Sequence, residues 1–235
     1  MASETLRWFA RAESSAPQPA AARTLESLRH RIISFELPPD TVLSRNELAR
    51  QYEISQTPLR DALQILEAEG LVSIKPQSKT VVTRIDASVI GEAMFLRRAV
   101  EVEVVRKLAA GIADDDVSRL RMIVSLQETI CNGDGEVGAF QDLDEAFHQA
   151  MMAAVGYPGI HKIIRANSGH LNRLRRLDSW QKPKLQRIVR QHKAILDTIL
   201  ASDPVAAEHA MRDHLSKTIT QIGQLRSEHP NYFRD

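Results

Sequence analysis

Two stretches of this 235-residue chain read as strands, "LVSIKP" (Leu71–Pro76) and "TVVTRI" (Thr80–Ile85); elsewhere its apolar residues recur mainly at helical spacing. Only Gln77, Ser78 and Lys79 separate the two stretches, so they form one hairpin. A single hairpin between a short helical segment and a long helical one makes the fold mainly α, in two domains joined near Asp86–Ser88. The division expected is a mobile tail over 1–22, a first domain over 23–86 and an all-helical second domain over 88–227.

Composition narrows the function classes. A single cysteine, Cys131, excludes an internal disulfide framework and fits a reducing compartment. No apolar run approaches the roughly 20 residues that span a bilayer. The opening "MASETLRWFARAESSAPQPAAA" lacks the basic-then-apolar order of a secretory signal, although Leu6, Trp8 and Phe9 could dock somewhere. A cytoplasmic protein without a membrane partner is therefore expected. Net charge is +1, and residues 23–85 hold nine Lys/Arg against eight Asp/Glu. Overall charge thus announces no nucleic acid, and a DNA argument must come from a motif.

The helices before the hairpin carry such a motif. "TLESLRHRIISFEL" puts Leu25, Leu28, Ile32 and Phe35 on one face, and Pro38-Pro39 stops it. Ser44 and Glu47 form a capping box for the next helix. After the tight connection "YEIS", "SQTPLRDALQILEAEG" is capped by Ser55 or Thr57, has Pro58 in its first turn and ends at Gly70. Its core stripe is Leu59, Ala62, Leu63 and Leu66, and its exposed start offers Gln56, Thr57 and Arg60. Two short helices on a tight turn, with a polar start to the second, match the geometry that enters a major groove, and the hairpin would serve as a wing. A plain helical hairpin with solvated polar residues is the alternative left open by pattern alone.

The block "LSRNELARQYEISQTPLRDALQILEAEGLVSIKPQSKTVV" resembles the winged helix-turn-helix of the GntR family of bacterial transcription regulators. The resemblance is carried by Ser55, Thr57, Pro58, Arg60, Ala62 and Leu63, followed by Glu69-Gly70-Leu71-Val72. It implies that Arg45, Asn46, Ser55, Gln56, Thr57 and Arg60 lie at the DNA groove, and that the wing tip with Gln77 and Lys79 touches DNA. Two residues depart from the family pattern. Gln56 stands where many members have arginine, which shifts the expected base preference from guanine towards adenine. The wing tip "PQSK" lacks the usual glycine. The partner expected is a double-stranded operator, read by a homodimer because one such module covers only a half-site.

From Ser88 onward, helix breaks fall at Gly111–Asp116, Cys131–Gly138, Gly156–Gly159, Asp178–Pro183 and Ser202–Pro204. The length and arrangement resemble FCD, the all-helical ligand-binding domain of the FadR subgroup of that family. Helical phase singles out an unusual set of polar residues. In "FQDLDEAFHQAMMAA" Asp144 and His148 share the border of the apolar stripe, one turn apart. His192 fills a core position among Leu185, Ile188, Val189, Ile195 and Ile199. His214 fills one among Ala207, Ala210, Met211 and Leu225, whereas His209 falls on the polar face. One inward histidine is usually a satisfied core residue. Three of them with a carboxylate, facing one bundle interior, would leave costly polar burial unless a cation joined them.

Asp144, His148, His192 and His214 are therefore read as ligands of a divalent transition metal ion, Zn²⁺ or Ni²⁺. The set also resembles the metal-site pattern of many FCD domains. A small carboxylate effector could occupy further coordination positions. Arg98, among Met94, Phe95, Val102 and Val105, and Asn167, among Ile160, Ile163, Ile164, Leu171 and Leu174, are the candidates to bind it; Arg98 pairing with Glu101 or Asp144 is the bland alternative. The function expected is a metabolite-responsive transcription regulator, a repressor, and not an enzyme. The competing classes are a metal-dependent hydrolase, for which Glu145 is the one candidate base, and a metal-free ligand-binding regulator.

Overall fold

A computed structural model describes residues 19–75, 79–133, 137–178, 181–216 and 222–234. Residues 1–18 of the expected tail and the wing-tip residue Gln77 lie outside the described residues.

Helix α1 (Ala20–Ile33) starts inside the stretch read as tail, because Pro19 ends the extended entry at φ −52° and three alanines follow. It stops before Leu37, the limit suggested by Pro38. Phe35 turns left-handed (φ 61°), and the Leu37 N–H donates back to Arg31 O at 2.9 Å. Strand β1 (Val42–Leu43) precedes α2 (Arg45–Gln51), whose capping Ser44 accepts from the Glu47 N–H at 3.4 Å. Helix α3 (Gln56–Ala68) buries Leu59, Ala62, Leu63 and Leu66, the stripe expected from its periodicity. Strands β2 (Val72–Ile74) and β3 (Thr80–Val82) form the expected hairpin. β1 adds a third strand that two residues are too few to announce. The antiparallel order is β1-β3-β2, with Val42 opposite Val81 and Val72 opposite Val82. Leu28, Ile32, Leu48, Leu59, Leu63, Leu66, Leu71 and Val82 form the core between helices and sheet. The end of α3 is clamped to α1 by an ion pair in which Arg29 Nε and Nη2 donate to Glu69 at 2.8 and 2.5 Å, with both side chains buried.

The later elements among the described residues are helical: α4 (Ala87–Ala110), α5 (Asp114–Asn132), α6 (Val137–Ala154), α7 (Pro158–Asn167), α8 (Gly169–Leu177), α9 (Lys182–Leu200), α10 (Pro204–Ser216), α11 (Ile222–Glu228) and a short 3₁₀ turn at Pro230–Tyr232. Their starts follow from local chemistry. Three aspartates open α5 against the helix dipole, and the Asp203 carboxylate accepts from the Val205 and Ala206 N–H groups at the start of α10. Helix α5 packs on α6 and α9, and α9 packs on α10. No helix among the described residues is long and apolar enough to cross a membrane.

The compact units do not follow a single cut near Asp86–Ser88. One takes the described residues of 94–165 and 179–220; the other takes those up to 93 together with 166–178 and 221–235. In the second unit α8 and the chain end complete the winged helix. The Asp86 N–H donates to His170 Nδ1 at 3.0 Å, and Arg173 Nη1 donates to Thr83 O at 2.5 Å. Ile85 forms a parallel bridge with Phe233, which is 2% exposed. Gly70 (φ 71°) closes this arrangement, for a Cβ there would stand 2.9 Å from His170 Nε2.

Candidate metal centre and nucleic-acid interface

Each of the three inward histidines sits where a helix stripe would otherwise hold an aliphatic residue. On α6 the buried run is Phe140, Leu143, Asp144, Phe147, His148 and Met151; on α9 it is Leu185, Ile188, Val189, His192, Ile195 and Ile199; on α10 it is Ala207, Met211, His214 and Leu215. Asp144, His148, His192 and His214 are 1%, 2%, 0% and 9% exposed, whereas His209 is exposed. The structure brings the four together, and one ligand atom from each lies within 4.8 Å of the others.

The proton positions are set by what stands behind the rings. His148 Nδ1 lies 2.5 Å from Glu101 Oε2, and His192 Nδ1 donates to Gln127 Oε1 at 2.8 Å. Burial opposes ionisation of Glu101, but Arg97, whose Nε donates to Glu101 Oε1 at 2.6 Å, and then His148 outweigh it and hold the carboxyl far below the usual range. Glu101 thus stands at the Nδ1 side of His148, and the Nε2 on the other side of that ring lies 3.2 Å from His214 Nε2. Burial first, and then His192 and His148, push His214 well below the usual imidazole range, so its ring is neutral. Phe147 stacks on His192 with ring centroids 4.1 Å apart and fixes its plane.

The four residues fit a first-row divalent ion. Neutral imidazoles and a carboxylate are its usual ligands. Bonds of about 2.0–2.2 Å would place neighbouring ligand atoms roughly 3–4 Å apart. The His148–His214 nitrogens and the 3.5 Å between His192 Nε2 and Asp144 Oδ1 are already at such spacings.

The two effector candidates are placed otherwise than phase suggested. Arg98 is half-buried, and Phe95, one of the residues used to turn it inward, is 76% exposed. The arginine that α4 buries is Arg97, 5% exposed and paired with Glu101 one turn on. Asn167 is exposed, as is Ile163. A break at Ser168 separates α7 from α8, so Ile160, Ile163 and Ile164 do not share one stripe with Leu171 and Leu174. Glu145, the base considered for a hydrolase, is half-exposed and lies 2.7 Å from His161 Nε2. Arg97 and Gln127 are not singled out by the sequence, and Glu101 enters there only as a possible partner of Arg98. Their signal was there: an Arg-x3-Glu pair inside an apolar helix, and one amide on the stripe Val117, Leu120, Ile123, Val124, Ile130.

In the winged helix, Arg45, Asn46, Ser55, Gln56, Thr57, Arg60 and Lys79 are all exposed. Gln56 Nε2 donates to Asn46 Oδ1 at 3.2 Å, which joins the starts of α2 and α3. Ser55 makes no side-chain cap bond, so the first-turn amides of α3 are free of that acceptor.

Residues 20–82 match the model of the gntR family of bacterial regulatory proteins, and residues 92–217 match that of the FCD domain. An HTH-type transcriptional regulator in an unstable DNA locus of Streptomyces ambofaciens is 35% identical, over 88% of this chain and 86% of its own length. The HTH-type transcriptional repressor RspR of Escherichia coli K12 is 26% identical, over 93% and 95%. Among solved structures, E. coli McbR/YncC has a similar fold, with a TM-score of 0.75 at 17% identity over 91% of this chain and 100% of its own.

Proposed function

The chain belongs to the GntR family of transcription regulators, with an FCD domain behind its winged helix, and from that premise we propose that it is a metal-dependent repressor whose hold on DNA answers to a small carboxylate. It is a DNA-binding transcriptional regulator. The reading of an ion and an effector rests on one observation, the convergence of Asp144, His148, His192 and His214 in a buried interior.

The buried charges say what such a site would accept. The formally charged side chains buried at the site besides the histidines are Asp144, Glu101 and Arg97. With a divalent ion bound, its imidazole ligands would be neutral and the formal sum would be one positive charge, which a monocarboxylate balances. The ion would supply a Lewis-acidic position for the carboxylate. The buried arginine beside the site is Arg97, whose guanidinium is paired with Glu101.

On the DNA side, Ser55, Gln56, Thr57 and Arg60 at the open start of α3, with Arg45 and Asn46 beside them, are proposed to meet the groove and its phosphates. Lys79 and Gln77 are assigned to the wing. A homodimer would present two such modules to a palindrome in the cytoplasm, and effector binding would shift the dimer between geometries that do and do not match the half-site spacing.

The test is a set of titrations on the full chain. Elemental analysis of purified protein should find close to one zinc or nickel per chain. Candidate monocarboxylates should then bind by calorimetry to the metal-loaded protein and not to the stripped one, and should lower operator affinity in a gel shift at fixed salt. Equal binding by loaded and stripped protein would make the ion structural and place the effector elsewhere. Metal-free protein that still responds would remove the ion from the mechanism.

A further inference from the structure

We infer that Glu101 and Gln127 are positioning residues of the metal centre, each holding one histidine ring by its Nδ1 so that Nε2 turns to the common point shared with Asp144 and His214. The inference rests on the metal reading above and names what sustains the site.

Both residues are buried without exposure to water, on helices that contribute no ligand themselves. Gln127 interrupts an otherwise apolar stripe of α5, where an aliphatic residue would pack without leaving an amide to satisfy. Its Oε1 meets His192 Nδ1 at 2.8 Å. A carbonyl oxygen only accepts, so His192 donates from Nδ1 and keeps the lone pair at Nε2. Glu101 accepts from Arg97 Nε at its Oε1 and places its Oε2 2.5 Å from His148 Nδ1. A carboxylate oxygen facing Nδ1 leaves Nε2 as the ring nitrogen turned towards an ion, and such a carboxylate behind a ligating imidazole strengthens it as a donor towards a cation.

Packing alone gives no reason for either group. If Glu101 served only to neutralise Arg97, its second oxygen would have no need to face a histidine ring. If Gln127 served only to fill volume, leucine would do so on that stripe. Together the two acceptors select one tautomer for two rings on different helices, and the Nε2 atoms of His148 and His214 then face each other at 3.2 Å. Without an ion, that juxtaposition needs a proton on His214 between them. With one, each lone pair is used.

The experiment measures zinc affinity of full-length protein by chelator competition for wild type, Gln127→Leu, Gln127→Glu and Glu101→Gln. Melting of the metal-free forms and ¹⁵N spectra of the histidine rings in the zinc-loaded forms accompany it. Gln127→Leu should weaken zinc about 10–100-fold, while its metal-free form melts at or above the wild-type temperature because no buried amide remains. Gln127→Glu should restore wild-type affinity or exceed it. Glu101→Gln should also weaken zinc, and should it fail to fold, Gln127→Leu decides alone. The spectra should show His148 and His192 protonated at Nδ1 and coordinated through Nε2.

Zinc affinity of folded Gln127→Leu within twofold of wild type, or coordination of either ring through Nδ1, overturns the inference while leaving the metal centre standing. A wild-type protein that holds neither zinc nor nickel overturns the metal reading and this inference with it.

Discussion

A histidine inside a helical bundle has two ring nitrogens to place where water does not reach, and residues 148 and 192 each set one inward and one against a buried polar side chain. The inner nitrogens converge on one another, and the outer nitrogens of two rings find Glu101 and Gln127. Truncating a ligand removes a donor that no neighbour can replace. His192→Ala and His214→Ala should each lower metal content at least several-fold, whereas exposed His209→Ala should leave it unchanged, as measured by elemental analysis after equal dialysis. Retention of metal by all three variants would refute the assignment. At the other site, Arg60 is exposed on the first turns of α3. Arg60→Ala should weaken operator binding by about 1–3 kcal/mol without changing the fold. An unchanged gel-shift midpoint at fixed salt would remove Arg60 from the interface.

At the scale of elements, α8 belongs with the winged helix although its sequence neighbours α7 and α9 serve the bundle. It is joined there by buried polar contacts. His170 accepts from the Asp86 N–H, and Arg173 donates to Thr83. Burial, and then the Arg173 charge, push the His170 imidazole down to about 4. A lowered folded value means that the unfolded chain binds the proton first. The contribution is therefore complete above about pH 6.5 and is lost as pH falls towards 4. Unfolding at pH 7 and pH 5 should show wild type losing on the order of 2 kcal/mol more than His170→Asn, whose side chain keeps an acceptor but does not titrate. Identical slopes would place the titration elsewhere. Gly70→Ala offers a second check on this junction. Its left-handed backbone and the 2.9 Å approach to His170 Nε2 should together destabilise by roughly 1–3 kcal/mol in thermal unfolding. A fragment ending at residue 86 lacks α8 and Phe233, so circular dichroism should find it less stable than the same module in the full chain.

For the whole molecule, control of DNA by an effector requires that the two bindings share free energy. Linkage then makes the effect reciprocal: an acid that releases operator must itself bind less tightly, by the same factor, to the protein on DNA. Calorimetry of a responsive acid against free and operator-bound protein should give that factor independently of the gel shift, and typical couplings predict about 5–150-fold. Agreement of the two factors is expected. An acid that binds equally to both forms carries no signal to the winged helix, whatever its affinity.

Periodicity and turn residues were enough for the mainly helical class, the stripe of α3, the hairpin and five of the breaks between helices of the second domain, though not for the one at Ser168. These are local properties: a face of a helix or a proline at its start is decided by neighbours within a few residues. The inward turn of Asp144, His148, His192 and His214 was legible for the same reason, since each lies within one uninterrupted helix. Helical phase failed at Asn167 because it does not survive the break at Ser168, and at Arg98 because the long apolar run of α4 leaves phase ambiguous by one residue. Two things needed the tertiary structure. The partnership of Glu101 and Gln127 with histidines 47 and 65 residues away depends on helix packing that no local pattern encodes. The membership of α8 and the chain end in the winged-helix unit depends on which apolar face each of them finds, and sequence order does not determine that.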